Sequence, residues 1–163
     1  DFCGQHYQVH DAWCHPRPLQ ESPRVWIGGA GEKRTLRIAA RYADGWNVAY
    51  VSPDAYRHKN DVLNDWCEHE NRDSNEIMRS LNLGFYMGVN EERASAARER
   101  YDTYFGEQAD RFVEGSLFGT PAAIVDSIGE YARAGVTDLN ITMRAPYDFD
   151  AMQCFIEEVM PKI

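Results

Sequence analysis

Apolar and polar positions along the chain follow two rhythms, one of two residues and one of 3.6, after an opening stretch that follows neither. Residues 1–23 hold Gly4, Pro16, Pro18 and Pro23 and read as a lead-in loop with a short hairpin around 6–9. Residues 24–27 (Arg-Val-Trp-Ile) form a short apolar run suited to a buried strand, closed by glycines. A helix is expected over 33–42 from the stripe Leu36, Ile38, Ala39 and Ala40, and Asp44-Gly45 ends it. A second strand covers 46–51. Ser52 then caps a helix with Pro53 at its first position, and this helix runs to about 71. Tyr56, Leu63, Trp66 and Cys67 share its apolar side, while Lys59, Asp61, Asn64, Glu68 and Glu70 populate the solvated one.

A third strand spans 77–89, where Leu81, Leu83, Phe85 and Met87 alternate, and a charged amphipathic helix spans 91–105. Residues 107–118 carry no assignable period. Thr120-Pro121 repeats the capping arrangement before a helix that ends at Gly135, a natural left-handed cap. The last strand covers 136–143, and a final helix over 148–160 is expected to bury Met152, Phe155, Ile156 and Val159. Four strands, each followed by a helix, predict parallel βαβ units with right-handed crossovers.

The chain has 163 residues, which suits one domain and is too short for a complete eight-fold βα barrel of roughly 200 residues or more. A net charge of −9 argues against nucleic-acid partners and against a polybasic membrane patch. No apolar run spans a bilayer and the first ten residues are too polar for a secretory signal, so a cytoplasmic location is expected. Cys3, Cys14, Cys67 and Cys154 form no CxxC pair and read as reduced thiols.

The sharpest motif is Gly28-Gly29-Ala30-Gly31-Glu32-Lys33-Arg34-Thr35, between a strand and a helix start. Glycines let the backbone approach an anion, free amides of the helix start point at it, and Lys33 or Arg34 adds positive charge. It is neither a Walker loop, since Glu32 precedes Lys33, nor the dinucleotide fingerprint, since Arg34 replaces the third glycine. A ligand-free βα turn is the alternative reading. Cys3, His6, His10, Cys14 and His15 are zinc-type residues at a spacing that matches no known knuckle, so no metal site is expected. His58 and His69 read as solvated. No GxSxG elbow occurs, and the helix carboxylates Asp61, Asp65, Glu68 and Glu70 read as surface charge, so no catalytic residue is assigned. Arg144, Tyr147 and Asp148 follow the last strand, where barrel enzymes place substrate contacts.

Four segments carry a likeness: Phe2-Cys3-Gly4-Gln5-His6-Tyr7, Pro16-Arg17-Pro18-Leu19-Gln20, the run from Val25 through Arg37, and Ala39 through Asn47. With Gly119-Thr120-Pro121 and Ala134 through Asp138, they resemble the bacterial-luciferase-like oxidoreductases, closest to the deazaflavin-dependent branch. The resemblance implies a βα barrel binding FMN or the 8-hydroxy-5-deazaflavin coenzyme F420, with hydride transfer or oxygen activation at its carboxyl face. It implies that Gly28, Gly29 and Gly31 lie against the phosphate-bearing tail of the cofactor, with Lys33 and Thr35 as further contacts. Asn47, Tyr50 and Met143 would face the same pocket, with Tyr50 and Arg144 meeting substrate.

The family's first four strands have no counterpart, so the chain resembles the second half of the barrel, strands five to eight. Two sheet edges and one apolar face are then expected to lie uncovered, completed by a homodimer or by a missing N-terminal half. The function expected is that of the C-terminal part of a flavin- or deazaflavin-dependent oxidoreductase, inactive or weakly active alone. An inert self-associating half-barrel and a small metal-binding domain are the alternatives.

Overall fold

A computed structural model describes residues 1–163. The lead-in forms a two-stranded antiparallel hairpin of β1 (Phe2–Cys3) and β2 (Gln8–Val9), in which Gly4 N–H donates to Tyr7 O at 2.9 Å. The hairpin therefore starts earlier than expected. Nearly every residue before Trp26 is exposed.

Five strands then run parallel: β3 (Trp26–Gly28), β4 (Gly45–Ala49), β5 (Met78–Met87), β6 (Ser116–Gly119) and β7 (Asp138–Thr142). Between and after them lie α1 (Thr35–Tyr42), α2 (Pro53–His69), α3 (Glu91–Phe105), α4 (Ala109–Phe112), α5 (Pro121–Arg133) and α6 (Phe149–Cys154). Register defines the order. Ser80, Leu81 and Asn82 pair with both β4 and β7, which therefore flank opposite edges of β5. Gly84 pairs with both Ser116 and Thr142, so β6 lies on the edge that β4 also uses, further along. The sheet is four strands wide, β3-β4-β5-β7, and β6 takes over where β4 leaves.

The fifth strand is a departure from the four expected. It lies in the unassigned stretch and is too short for a period of two to register, although its Leu117 is fully buried. Two further expectations fail locally. The Thr120 side chain makes no capping bond, and Pro121 alone opens α5. The final helix ends at Cys154 and widens into a π turn over Phe155–Val159 before Pro161 stops it, which rotates Ile156 to 55% exposure instead of burial.

Helices pack on one face of the sheet. Trp46 and Val48 of β4 and Leu81, Leu83, Phe85 and Met87 of β5 point into that layer and meet Leu36, Tyr56, Leu63, Ile124 and Ile128. Strand alternation sends Asn47, Ser80, Asn82 and Asn140 to the opposite face, where Ala49 and Asn140 are exposed. This corrects the expectation of an uncovered apolar face. The open face carries a polar ladder in which Asn47 Nδ2 donates to Ser80 Oγ (2.9 Å) and Asn82 Oδ1 (3.1 Å), and Asn140 Nδ2 donates to Ser80 Oγ (2.9 Å). No helix is long and apolar enough to cross a membrane.

Candidate functional site

Parallel strands bring all their carboxyl ends to one edge of the sheet, and the loop Gly28–Thr35 leaves β3 there. The loop turns at Gly29, whose φ of +130° is a conformation that side chains rarely adopt. A Cβ on Gly31 would come within 2.9 Å of Thr35 Oγ1, so that glycine lets the chain fold tightly onto the first residue of α1. Gly29 N–H donates to Asn47 O at 2.9 Å, which joins the loop to the next strand. α1 starts at Thr35, two residues later than expected, so Lys33 and Arg34 belong to the exposed turn and form no ion pair.

From Ala30 through Thr35 no backbone N–H donates to another group of the chain; the first bond of the helix is Leu36 N–H to Gly31 O at 3.0 Å. The carbonyls of the same stretch are tied back. Gly29 O accepts from Trp46 Nε1 (2.9 Å), Ala30 O from Lys59 Nζ (3.1 Å) and Glu32 O from Trp66 Nε1 (2.8 Å). Six successive donors without partners beside bonded acceptors suit an anion.

Glu32 is the acid of this loop. Its carboxylate lies 3.1 Å from Lys59 Nζ and 3.2 Å from His58 Nε2. The Lys59 hydrogen bond and charge hold it below the usual glutamate range, with a smaller contribution from His58.

Lys59 and Asn64 were expected on the solvated side of α2. Lys59 instead reaches the loop, and Asn64 turns inward to accept from buried Arg79 at 3.0 Å. The roles of Trp46, Lys59 and Trp66 have no local sequence signal, because each depends on a loop 17 to 34 residues away in the chain.

Tyr50 and Arg144 form a second group on the same edge. Tyr50, just past β4, sits edge-on to Phe112 with ring centroids 5.7 Å apart. The Arg144 guanidinium lies over Tyr104 (5.3 Å) and Phe105 (5.4 Å), and Phe105 meets the same Phe112 with ring centroids 5.3 Å apart. Burial pushes the Tyr86 phenol up, against the opposing pull of Arg144. A cavity of about 540 Å³ opens between α3 and the chain after β7, lined in part by Tyr86, Tyr104, Met143 and Arg144. The edge thus holds Gly28, Gly29, Gly31 and Thr35 in the loop after β3, joined to Asn47 of β4, with Tyr50 following β4 and Met143 and Arg144 following β7.

The Cys and His residues of the lead-in are not gathered. No three His, Cys, Asp or Glu side chains converge on a point where they could share an ion, and His15 instead stacks on Trp13 at 6.0 Å.

The sequence profile of the luciferase-like monooxygenases matches residues 1–112. No protein of curated function matches the sequence. Among solved structures, the chain is similar to coenzyme F420-dependent tetrahydromethanopterin reductase from Methanopyrus kandleri, with 21% identity and a TM-score of 0.68 over 85% of this chain and 50% of that one. An F420-dependent secondary alcohol dehydrogenase, solved with an F420–acetone adduct, aligns with 15% identity and a TM-score of 0.77 over 99% of this chain and 55% of the other. Long-chain alkane monooxygenase aligns with 16% identity and a TM-score of 0.72, over 99% and 45% respectively. The chain spans about half the length of the solved relatives it matches.

Proposed function

The chain belongs to the luciferase-like monooxygenase family, and from that premise we propose that it is the second half of a flavin- or deazaflavin-binding βα barrel, whose loop Gly28–Thr35 holds the cofactor's phosphate. The run of six backbone donors without partners, from Ala30 to Thr35, carries this reading. A phosphate dianion there would be met by main-chain N–H groups, by the positive end of α1, and by the unpaired side chains of Lys33 and Arg34. Thr35 adds a hydroxyl beside Gly31.

FMN or F420 would supply the redox centre, a hydride carrier or an oxygen-activating flavin. The chain's own residues bind and orient. Asn47 anchors the glycine loop through its carbonyl, and its carboxamide opens the polar ladder on the face that would line the barrel interior. Tyr50 and Arg144, at the neighbouring strand ends, would receive substrate against the aromatic wall of Tyr86 and Tyr104.

Four parallel strands with open edges at β3 and β7 account for half of an eight-stranded barrel. We assign closure to a two-fold homodimer in which β7 of each copy pairs with β3 of the other, or to an N-terminal half that adds the four missing strands. Either arrangement completes the pocket, and turnover by one copy alone is expected to be weak because half the walls that would hold the reacting atoms are then missing.

Titration with FMN and with F420, followed by tryptophan fluorescence, tests the cofactor reading, since Trp46 and Trp66 both bond to the loop. Saturable quenching by either is expected, and no response to both would overturn it. Sedimentation tests closure by self-association: a mass of twice 18.7 kDa supports the homodimer, and a persistent monomer overturns it.

A further inference from the structure

The three groups that hold the loop's carbonyls lie outside the glycine motif. A trans peptide unit is rigid and planar, and its C=O and the following N–H point in opposite directions. Fixing one therefore aims the other. Trp46 Nε1 on Gly29 O turns the N–H of Ala30 away from β4. Lys59 Nζ on Ala30 O turns the N–H of Gly31 away from α2, and Trp66 Nε1 on Glu32 O does the same for Lys33. Lys59 also bonds the Glu32 carboxylate at 3.1 Å, which keeps the loop's one negative side chain on the helix side.

We infer that Trp46, Lys59 and Trp66 are positioning residues that preorganise the loop for a phosphate group, fixing three of its peptide planes before any ligand arrives. The inference rests on the reading of Gly28–Thr35 as the phosphate-holding loop. It goes further by placing affinity for the anion in side chains of β4 and α2. A loop without these ties would pay the ordering entropy at binding, and a preordered one does not. Trp66 is the informative member because its indole is neutral. Any loss of anion affinity on removing its N–H reports loop geometry and not charge, whereas Lys59 contributes both.

The test follows the amide NMR signals of Ala30, Gly31 and Lys33 during titration with inorganic phosphate. The wild-type chain is compared with Trp66→Phe, Lys59→Met, Lys59→Arg and, as a control in the lead-in whose ring meets His15 and Arg17, Trp13→Phe. Saturable shifts are expected in the wild type. Loss of one fixed peptide plane should raise the phosphate midpoint about five-fold in Trp66→Phe. Lys59→Met should raise it at least as much, Lys59→Arg should recover most of the loss, and Trp13→Phe should leave it unchanged. Unaltered midpoints in both Trp66→Phe and Lys59→Met would overturn the positioning role and leave the phosphate reading standing. Absence of any phosphate-dependent shift in the wild type would instead overturn the phosphate reading. If Trp66→Phe fails to fold, the comparison of Lys59→Met with Lys59→Arg decides alone.

Discussion

The Arg79 guanidinium and the Asn60 carboxamide meet at 2.6 Å (Nε to Oδ1) between the sheet and α2, in a layer that holds no carboxylate partner for the arginine. Nη2 donates to Asn64 Oδ1 (3.0 Å) and Nη1 to Ile77 O (2.7 Å). A buried cation is thus satisfied by three neutral oxygens, and it fastens β5 to α2, the helix that also carries Lys59 and Trp66 to the loop.

Removing this cation leaves three acceptors without donors. Arg79→Met should lower stability by about 2 kcal/mol, read as a shift in the urea midpoint at constant slope. Tyr56 supplies the opposite case. Its hydroxyl is buried with no partner, and burial pushes its phenol well above the usual range. Tyr56→Phe should therefore be neutral or stabilising by up to about 1 kcal/mol. A large loss in Tyr56→Phe would show that the hydroxyl does work the fold depends on.

The Glu32 carboxyl should titrate below the ordinary 4.5, because Lys59 and then His58 favour its charged form. The sign follows from linkage. A carboxyl whose folded pKa lies below its unfolded one contributes its pairing above the unfolded value and loses it as pH falls through the folded one. Carboxyl carbon NMR should find this lowered midpoint in the wild type and a return toward 4.5 in Lys59→Met.

Much of this architecture is legible in the chain, for reasons that differ by element. Ser52-Pro53 and the spacing of Tyr56, Leu63 and Cys67 predict α2 because cap and stripe are local, and Ser52 Oγ does accept from Ala55 N–H at 3.3 Å. The alternation through Leu81, Leu83, Phe85 and Met87 likewise predicts β5. The glycine loop is easy to locate in the sequence because its glycines and its place between a strand and a helix start are local features. The ties on its carbonyls are not. A helical period places Lys59 on a polar flank but says nothing of a loop 29 residues earlier that this flank approaches. The open face shows the same limit: Asn47, Ser80, Asn82 and Asn140 stand on three strands and become a ladder only through register.

Two glycines of the carboxyl half should respond with opposite sign. A Cβ on Gly115 would lie 2.1 Å from Tyr50 Cα, a backbone atom that cannot move aside cheaply. Gly115→Ala should cost about 1–3 kcal/mol and displace Tyr50 from its contact with Phe112. Gly129, inside α5, would meet only the flexible Arg133 Nη1 at 3.3 Å. Gly129→Ala should stabilise by about 0.5–1 kcal/mol through helix propensity. Thermal melts of the two variants, with Tyr50 followed by NMR, check both.

The polar ladder sets how the open face can associate. Apolar burial yields roughly 25 cal/mol per Å² and acts without direction, so an apolar face would drive copies together face to face. Asn47, Ser80, Asn82 and Asn140 weaken that drive and satisfy much of their own hydrogen bonding within the chain, which agrees with the proposed closure along the strand edges β3 and β7. Replacing the two outer carboxamides should reverse this. An Asn47→Leu, Asn140→Leu double variant is expected to bind a hydrophobic dye more strongly than the wild type does, and to form aggregates larger than a dimer in light scattering. Ser80→Ala keeps the carboxamides and deletes the shared acceptor, so it should cost about 1 kcal/mol without altering the association state. If the double variant keeps the wild-type mass and dye response, association is governed by something other than the chemistry of this face.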